Sequence, residues 1–155
     1  MSYEDLLLEA DKNGLIVKEK PLLLHDGRIK GKRIAIRQGI PTLSKKADVL
    51  AEELGHYYTS TGDILDQSDV NHRKQERTAR LWAFNKRIGL TGIINAFKAN
   101  CRNAYEIAEY LDVSEESLKE ALEYYRQIYG CGTVVDTYYI RFEPYLQVYK
   151  YMMFK

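Results

Sequence analysis

Glu52-Glu53-Leu54-Gly55-His56 departs by one residue from the helical pattern HExxH. In the intact pattern two histidines four residues apart face a metal from one side of a helix, and the glutamate after the first takes a proton from water that the metal polarises. Here the first histidine is a glutamate, so the base and the second histidine are kept and one ligand is altered. A carboxylate still reaches a zinc ion, at about 2.0–2.2 Å, but on a different stem from an imidazole nitrogen. On spacing alone a glutamate shortly before a histidine is common in helices, and its bland reading is a solvated face.

The elements that position these residues follow from periodicity. After Pro41-Thr42 the pattern is that of a long helix, with Leu43, Ala47, Leu50, Leu54 and Tyr58 on one apolar stripe. Glu52 and His56 lie about 40° apart on roughly the opposite side, with Glu53 near them. A second helix is expected from the caps Ser68-Asp69 through Phe84, on which Glu76 shares a strip with Ala79 and Ala83, small enough for another helix to approach. His72, four residues before Glu76, would be a replacement imidazole on the same face, but reads more simply as an exposed first-turn histidine. His25 belongs to the turn His25-Asp26-Gly27, and Tyr57 reads as packing.

Ahead of the motif, a short helix over Tyr3 to Lys12 stops at Asn13-Gly14. Short segments at Leu15 to Glu19, Leu22 to Leu24, Arg28 to Ile29 and Lys32 to Gln38 predict a small antiparallel sheet. In the last, isoleucines alternate with arginines, which suits an edge strand able to pair with a substrate backbone. Behind the motif, helices are expected at Leu90 to Lys98, Ala104 to Leu111 and Ser114 to Tyr129, and one or two strands across Thr133 to Phe142 and Tyr145 to Tyr149. Tyr105 to Tyr125 has the shape of a helix-turn-helix. Its second helix carries Glu115, Glu116, Glu120 and Glu123 against Lys119 and Arg126, which would repel phosphates, so a structural pair is expected.

Composition narrows the function classes. With 155 residues and 45% hydrophobic content the chain can bury one real core, and residues 1–155 are expected to form a single domain. The net charge of +1 gives no global attraction for nucleic acid or membranes, and neither membrane association nor direct nucleic-acid binding is expected. The acidic first residues lack the features of a signal peptide, and Cys101 and Cys131 have no metal or redox spacing, which together suit a cytoplasmic setting.

As a set, the strand Lys32 to Gln38, Ile40-Pro41-Thr42, Ala51 to Tyr58, Arg73-Lys74-Gln75-Glu76 through Trp82-Ala83, and Glu106 to Ser114 resemble the ImmA/IrrE family of bacterial and phage metallopeptidases over nearly the whole chain. The resemblance implies an α+β, mainly helical fold, with a zincin-like motif helix, a small antiparallel sheet, a C-terminal helix-turn-helix-like pair and short strands. It implies Glu53 as general base and His56 and Glu76 as metal ligands; Glu52 departs from the family's pattern and, at the position of the missing histidine, is the further candidate ligand. Zinc is the implied ion, and two carboxylates with one histidine move relative preference toward manganese. The implied activity is endoproteolysis without a covalent intermediate, and the implied substrate is a helix-turn-helix repressor of a phage or mobile element. Glu52 leaves open a family member that engages such a repressor without cutting it.

Overall fold

A computed structural model describes residues 1–60 and 69–150. Contacts within the chain group it into two compact units, Met1–Arg87 and Ile88–Lys155, where length had pointed to one domain. The architecture is α+β and mainly helical, as expected. No helix among the described residues is long and apolar enough to cross a membrane.

The first unit opens with α1 (Tyr3–Lys12), capped by Ser2 and Asp5 in a reciprocal box and ended at Asn13. Three strands follow, β1 (Ile16–Lys20), β2 (Gly27–Lys30) and β3 (Arg33–Arg37), in the order β1-β3-β2. The sheet is mixed, not antiparallel: β2 and β3 form a hairpin, whereas β1 runs parallel to β3 along its other side. Gly31, with φ of 60°, makes the hairpin turn possible. Two expectations are corrected here. β3 is the central strand with both edges paired, so it offers no free edge to a substrate. Leu22 to Leu24 is no strand but part of the connection that carries the chain from one side of β3 to the other, and Leu23 and Leu24 project into solvent. Alternation in β3 reads true, since Ile34 and Ile36 are buried.

α2 (Leu43–Thr59) starts at Thr42, whose side chain accepts from the Lys45 amide. Ala47, Leu50, Ala51 and Leu54 are wholly buried in a core shared with Leu6, Ala10, Ile34, Ile36 and Ile40. Leu43 falls on the predicted stripe yet is 63% exposed, because it sits at the helix start beyond the reach of that core. α3 (Asp69–Arg87) packs along α2. Ser68, expected in its cap, lies outside the described residues. At its far end Arg87 is 4% exposed and donates to Asp48 Oδ1 (3.1 Å), the Ser44 carbonyl (3.1 Å) and the Met1 carbonyl, tying the end of α3 to the start of α2 and to the N-terminus. A buried guanidinium is tolerated only when its donors are met in this way.

The second unit holds α4 (Gly89–Lys98), α5 (Ala104–Leu111), α6 (Glu115–Tyr129) and a three-stranded antiparallel sheet, β4 (Gly132–Val135), β5 (Tyr138–Arg141) and β6 (Gln147–Lys150). Three strands thus stand where one or two were expected. The extra reversal occurs at Asp136-Thr137, where Asp136 takes φ of 52° without a glycine to announce it. Asp112 does the same between α5 and α6, at φ of 55°. Leu118, Ala121 and Tyr125 bury one face of α6, while Arg126 is held by Glu123 and by Glu143 at 2.9 Å. One of the two cations that duplex binding would need is therefore already engaged by carboxylates.

Candidate metal centre

The core fixes the rotation of α2. With Ala47, Leu50 and Leu54 turned inward, helical geometry leaves Glu52 and His56 one turn apart on the side away from the densest packing. Glu52, His56 and Glu76 are all partly exposed.

α3 completes the set by coming very close. A Cβ built on Gly55 would lie 2.4 Å from the Ala79 carbonyl oxygen, so only glycine permits this crossing, and Ala79 and Ala83 are buried beside it. Tyr58 stacks on Trp82 with centroids 5.2 Å apart, and Tyr57 packs edge-on against Tyr58 at 5.1 Å, which gives Tyr57 the packing role expected of it. The close seam brings Glu76 Oε1 to 3.3 Å from His56 Nε2. One donor atom from each of Glu52, His56 and Glu76 lies within 4.8 Å of the other two.

These donors fit a divalent cation. Bonds of about 2.0–2.2 Å in a tetrahedron put neighbouring ligand atoms roughly 3.3–3.6 Å apart. The His56–Glu76 separation matches that edge already. The remaining pairs lie within 4.8 Å, and two carboxylates would neutralise a double charge. His72 is exposed and outside this cluster, as is His25 in its loop.

Glu53 stands apart from the ligand set. It is only 9% exposed, and the backbone of β2 covers it: a Cβ on Gly27 would come within 2.8 Å of Glu53 Oε1 and 2.9 Å of its Cγ. Burial first, then the charges of Glu52 and Glu76, push its carboxyl up to about 7. Glu52 is also raised, again chiefly by burial, and Arg80 acts in the opposite direction. Arg80, one turn after Glu76 on α3, has its Nε 3.5 Å from Glu52 Oε1.

No protein-family model, curated protein or solved structure matches this chain. The chemistry rests on the site's own geometry.

Three contributors escape a reading of ligand types. Gly27 looks like an ordinary turn residue, yet its lack of a side chain is what lets the β2 backbone lie over Glu53. Gly55 lies inside the motif at a position the pattern leaves free, and its role is visible only once α3 is in place. Arg80 alone carried a signal, since its spacing from Glu76 puts both on one helix face.

Proposed function

We propose that the chain is a metal-dependent endopeptidase of the cytoplasm, with zinc or manganese as its ion. The observation that carries this reading is the convergence of Glu52, His56 and Glu76 from two helices, with His56 and Glu76 3.3 Å apart. Glu53, adjacent in sequence and excluded from the ligand set, supports it. A divalent ion held by the three side chains would polarise a peptide carbonyl and lower the pKa of water. Glu53 is the group that would take a proton from such water and pass it to the leaving amine. Without metal its carboxyl is pushed up to about 7, chiefly by burial, and a divalent ion beside it would favour the carboxylate that accepts a proton. Gly27 keeps bulk water from one side of the carboxylate, and the Gly55–Ala79 crossing holds Glu76 in register with His56.

The substrate we propose is a helix-turn-helix repressor of a phage or mobile element, whose cleavage relieves repression. This step rests on the resemblance to the ImmA/IrrE family carried by the motif helix, the following helix and the Glu106 to Ser114 turn. A second reading is favoured by the Glu52–Arg80 ion pair, which gives the ligand carboxylate a cation of its own. On that reading the chain binds the repressor and never cuts it.

Metal content of the purified chain and cleavage of a helix-turn-helix repressor, with and without zinc or manganese, separate the two. The peptidase reading expects stoichiometric metal and a cut that Glu53→Gln abolishes while metal is retained. Metal-free protein that binds the repressor and leaves it intact supports the second reading and ends the first.

A further inference from the structure

We propose that Arg80 is an internal rival of the metal: it neutralises Glu52 in the metal-free protein, and its charge opposes a cation that Glu52 would help to hold. The inference rests on the metal-site reading of Glu52, His56 and Glu76. Arg80 Nε lies 3.5 Å from Glu52 Oε1, and one carboxylate oxygen of Glu52 belongs to the ligand set. A guanidinium and a divalent ion on the same carboxylate repel each other. Coulomb's law for a single and a double charge about 5 Å apart gives a repulsion worth roughly tenfold in affinity even with the full screening of water.

The two features belong together. A neutral imidazole at position 52 would offer Arg80 no ion pair, whereas glutamate creates one. Glu52 and Glu76 both approach His56, and without a counter-charge two carboxylates in one small site repel each other. Arg80 supplies that charge, so α2 and α3 can close over an acidic site without metal. Its side chain is 44% exposed, which leaves a way out into solvent without disturbing the core. An anion that draws Arg80 outward therefore raises metal affinity, and by linkage metal raises the affinity for that anion by the same factor.

The test is equilibrium competition for Mn²⁺ and Zn²⁺ against a chromophoric chelator at low ionic strength, using wild type, Arg80→Gln, Arg80→Lys and Glu52→Gln. Arg80→Gln is expected to bind roughly tenfold tighter than wild type. Arg80→Lys, which keeps the charge, should stay near wild type, and Glu52→Gln should bind more weakly than either. In metal-free urea unfolding followed by Trp82 fluorescence, Arg80→Gln is expected to lower the midpoint, and saturating metal should reverse the order of the two proteins. Affinity that is unchanged or weaker in Arg80→Gln, with wild type binding metal, overturns this inference alone. So does an equal gain in Arg80→Lys, since the effect would not be one of charge. Absence of metal from every variant overturns it together with the metal-dependent function.

Discussion

Gly55→Ala tests the geometry on which the site depends. In an exposed helix interior this change stabilises by about 1 kcal/mol, because alanine loses less conformational freedom. Here the new Cβ would stand 2.4 Å from the Ala79 carbonyl oxygen, with the Ala79 carbonyl carbon and Cα at 3.1 and 3.2 Å. The obstacle is backbone, so no side-chain rotation relieves it. Reaching even 3.0 Å requires α3 to retreat by about 0.6 Å, the difference between 3.0 and 2.4. Overpacking of this kind costs about 1–3 kcal/mol, which outweighs the propensity gain and leaves a net loss of roughly 1 kcal/mol. The same retreat moves Glu76 away from His56, and metal sites tolerate only about ±0.2 Å in ligand distance, so affinity should fall at least tenfold. Trp82, the only tryptophan in the chain, lies on α3 and stacks on Tyr58 of α2, so its fluorescence reports this seam during urea unfolding. Gly92→Ala is the control: its Cβ would meet only the end of Leu111, at 3.2 Å, and far-UV circular dichroism should show stability held or raised. A Gly55→Ala protein with an unchanged or higher midpoint and wild-type metal affinity would refute the close crossing.

Two further substitutions separate charge from packing. Glu53 holds its proton to about 7 in the folded protein against 4.5 unfolded, so without metal the folded state gains protons and stability falls as pH rises through that window. Glu53→Gln should flatten this fall and stabilise the metal-free protein at pH 8 by up to roughly 3 kcal/mol relative to wild type, with little difference at pH 4; parallel stability curves from pH 4 to 8 would show that burial does not raise this carboxyl. Arg87→Ala removes donors to Asp48 and to the carbonyls of Ser44 and Met1 and leaves an aspartate beside a buried gap, so a loss of about 2–4 kcal/mol is expected in the same unfolding assay, and a loss below 0.5 kcal/mol would mean the N-terminus is held by other contacts.

What could be read in advance follows the range of each interaction. Helix starts at Ser2, Thr42, Asn103 and Ser114 are local, because the capping side chain reaches an amide only three residues away. The faces of α2 and the alternation of β3 are nearly as local, and both were legible as periodicity. The pairing of β1 with β3 was not: a six-residue connection between strands can fold back as a loop or pass the end of a third strand, and its residues do not say which. That choice reversed the role of β3 from edge to centre. In the site, His56 and Glu53 were legible from the motif, whereas the positions of Gly27 and Arg80 depend on a strand and a helix arriving from elsewhere. Aspartates at left-handed positions hid two turns for a related reason, since aspartate also serves ordinary turns and caps.

The electrostatics of Glu52 decide between a site built for metal and one that has learned to do without. Replacing a neutral imidazole by a carboxylate adds a negative charge beside Glu76 and Glu53; burial is the first cause of the upward shifts of Glu52 and Glu53, and neighbouring carboxylates add to both. Two things can balance that charge. A divalent ion would do so at the centre of the ligand set, where it would also favour the ionised carboxylate of Glu53 and lower the pKa of the water facing it. Arg80 does so from the rim, neutralising Glu52 while leaving Glu53 poised near neutrality and His56 paired with Glu76. On the proposed function the first arrangement would serve chemistry on a peptide bond, and the second would only preserve the fold that presents it. Because both would balance the same charge from different places, the proposal has metal and Arg80 trade against each other, and the metal affinity of Arg80→Gln measures the strength of that trade.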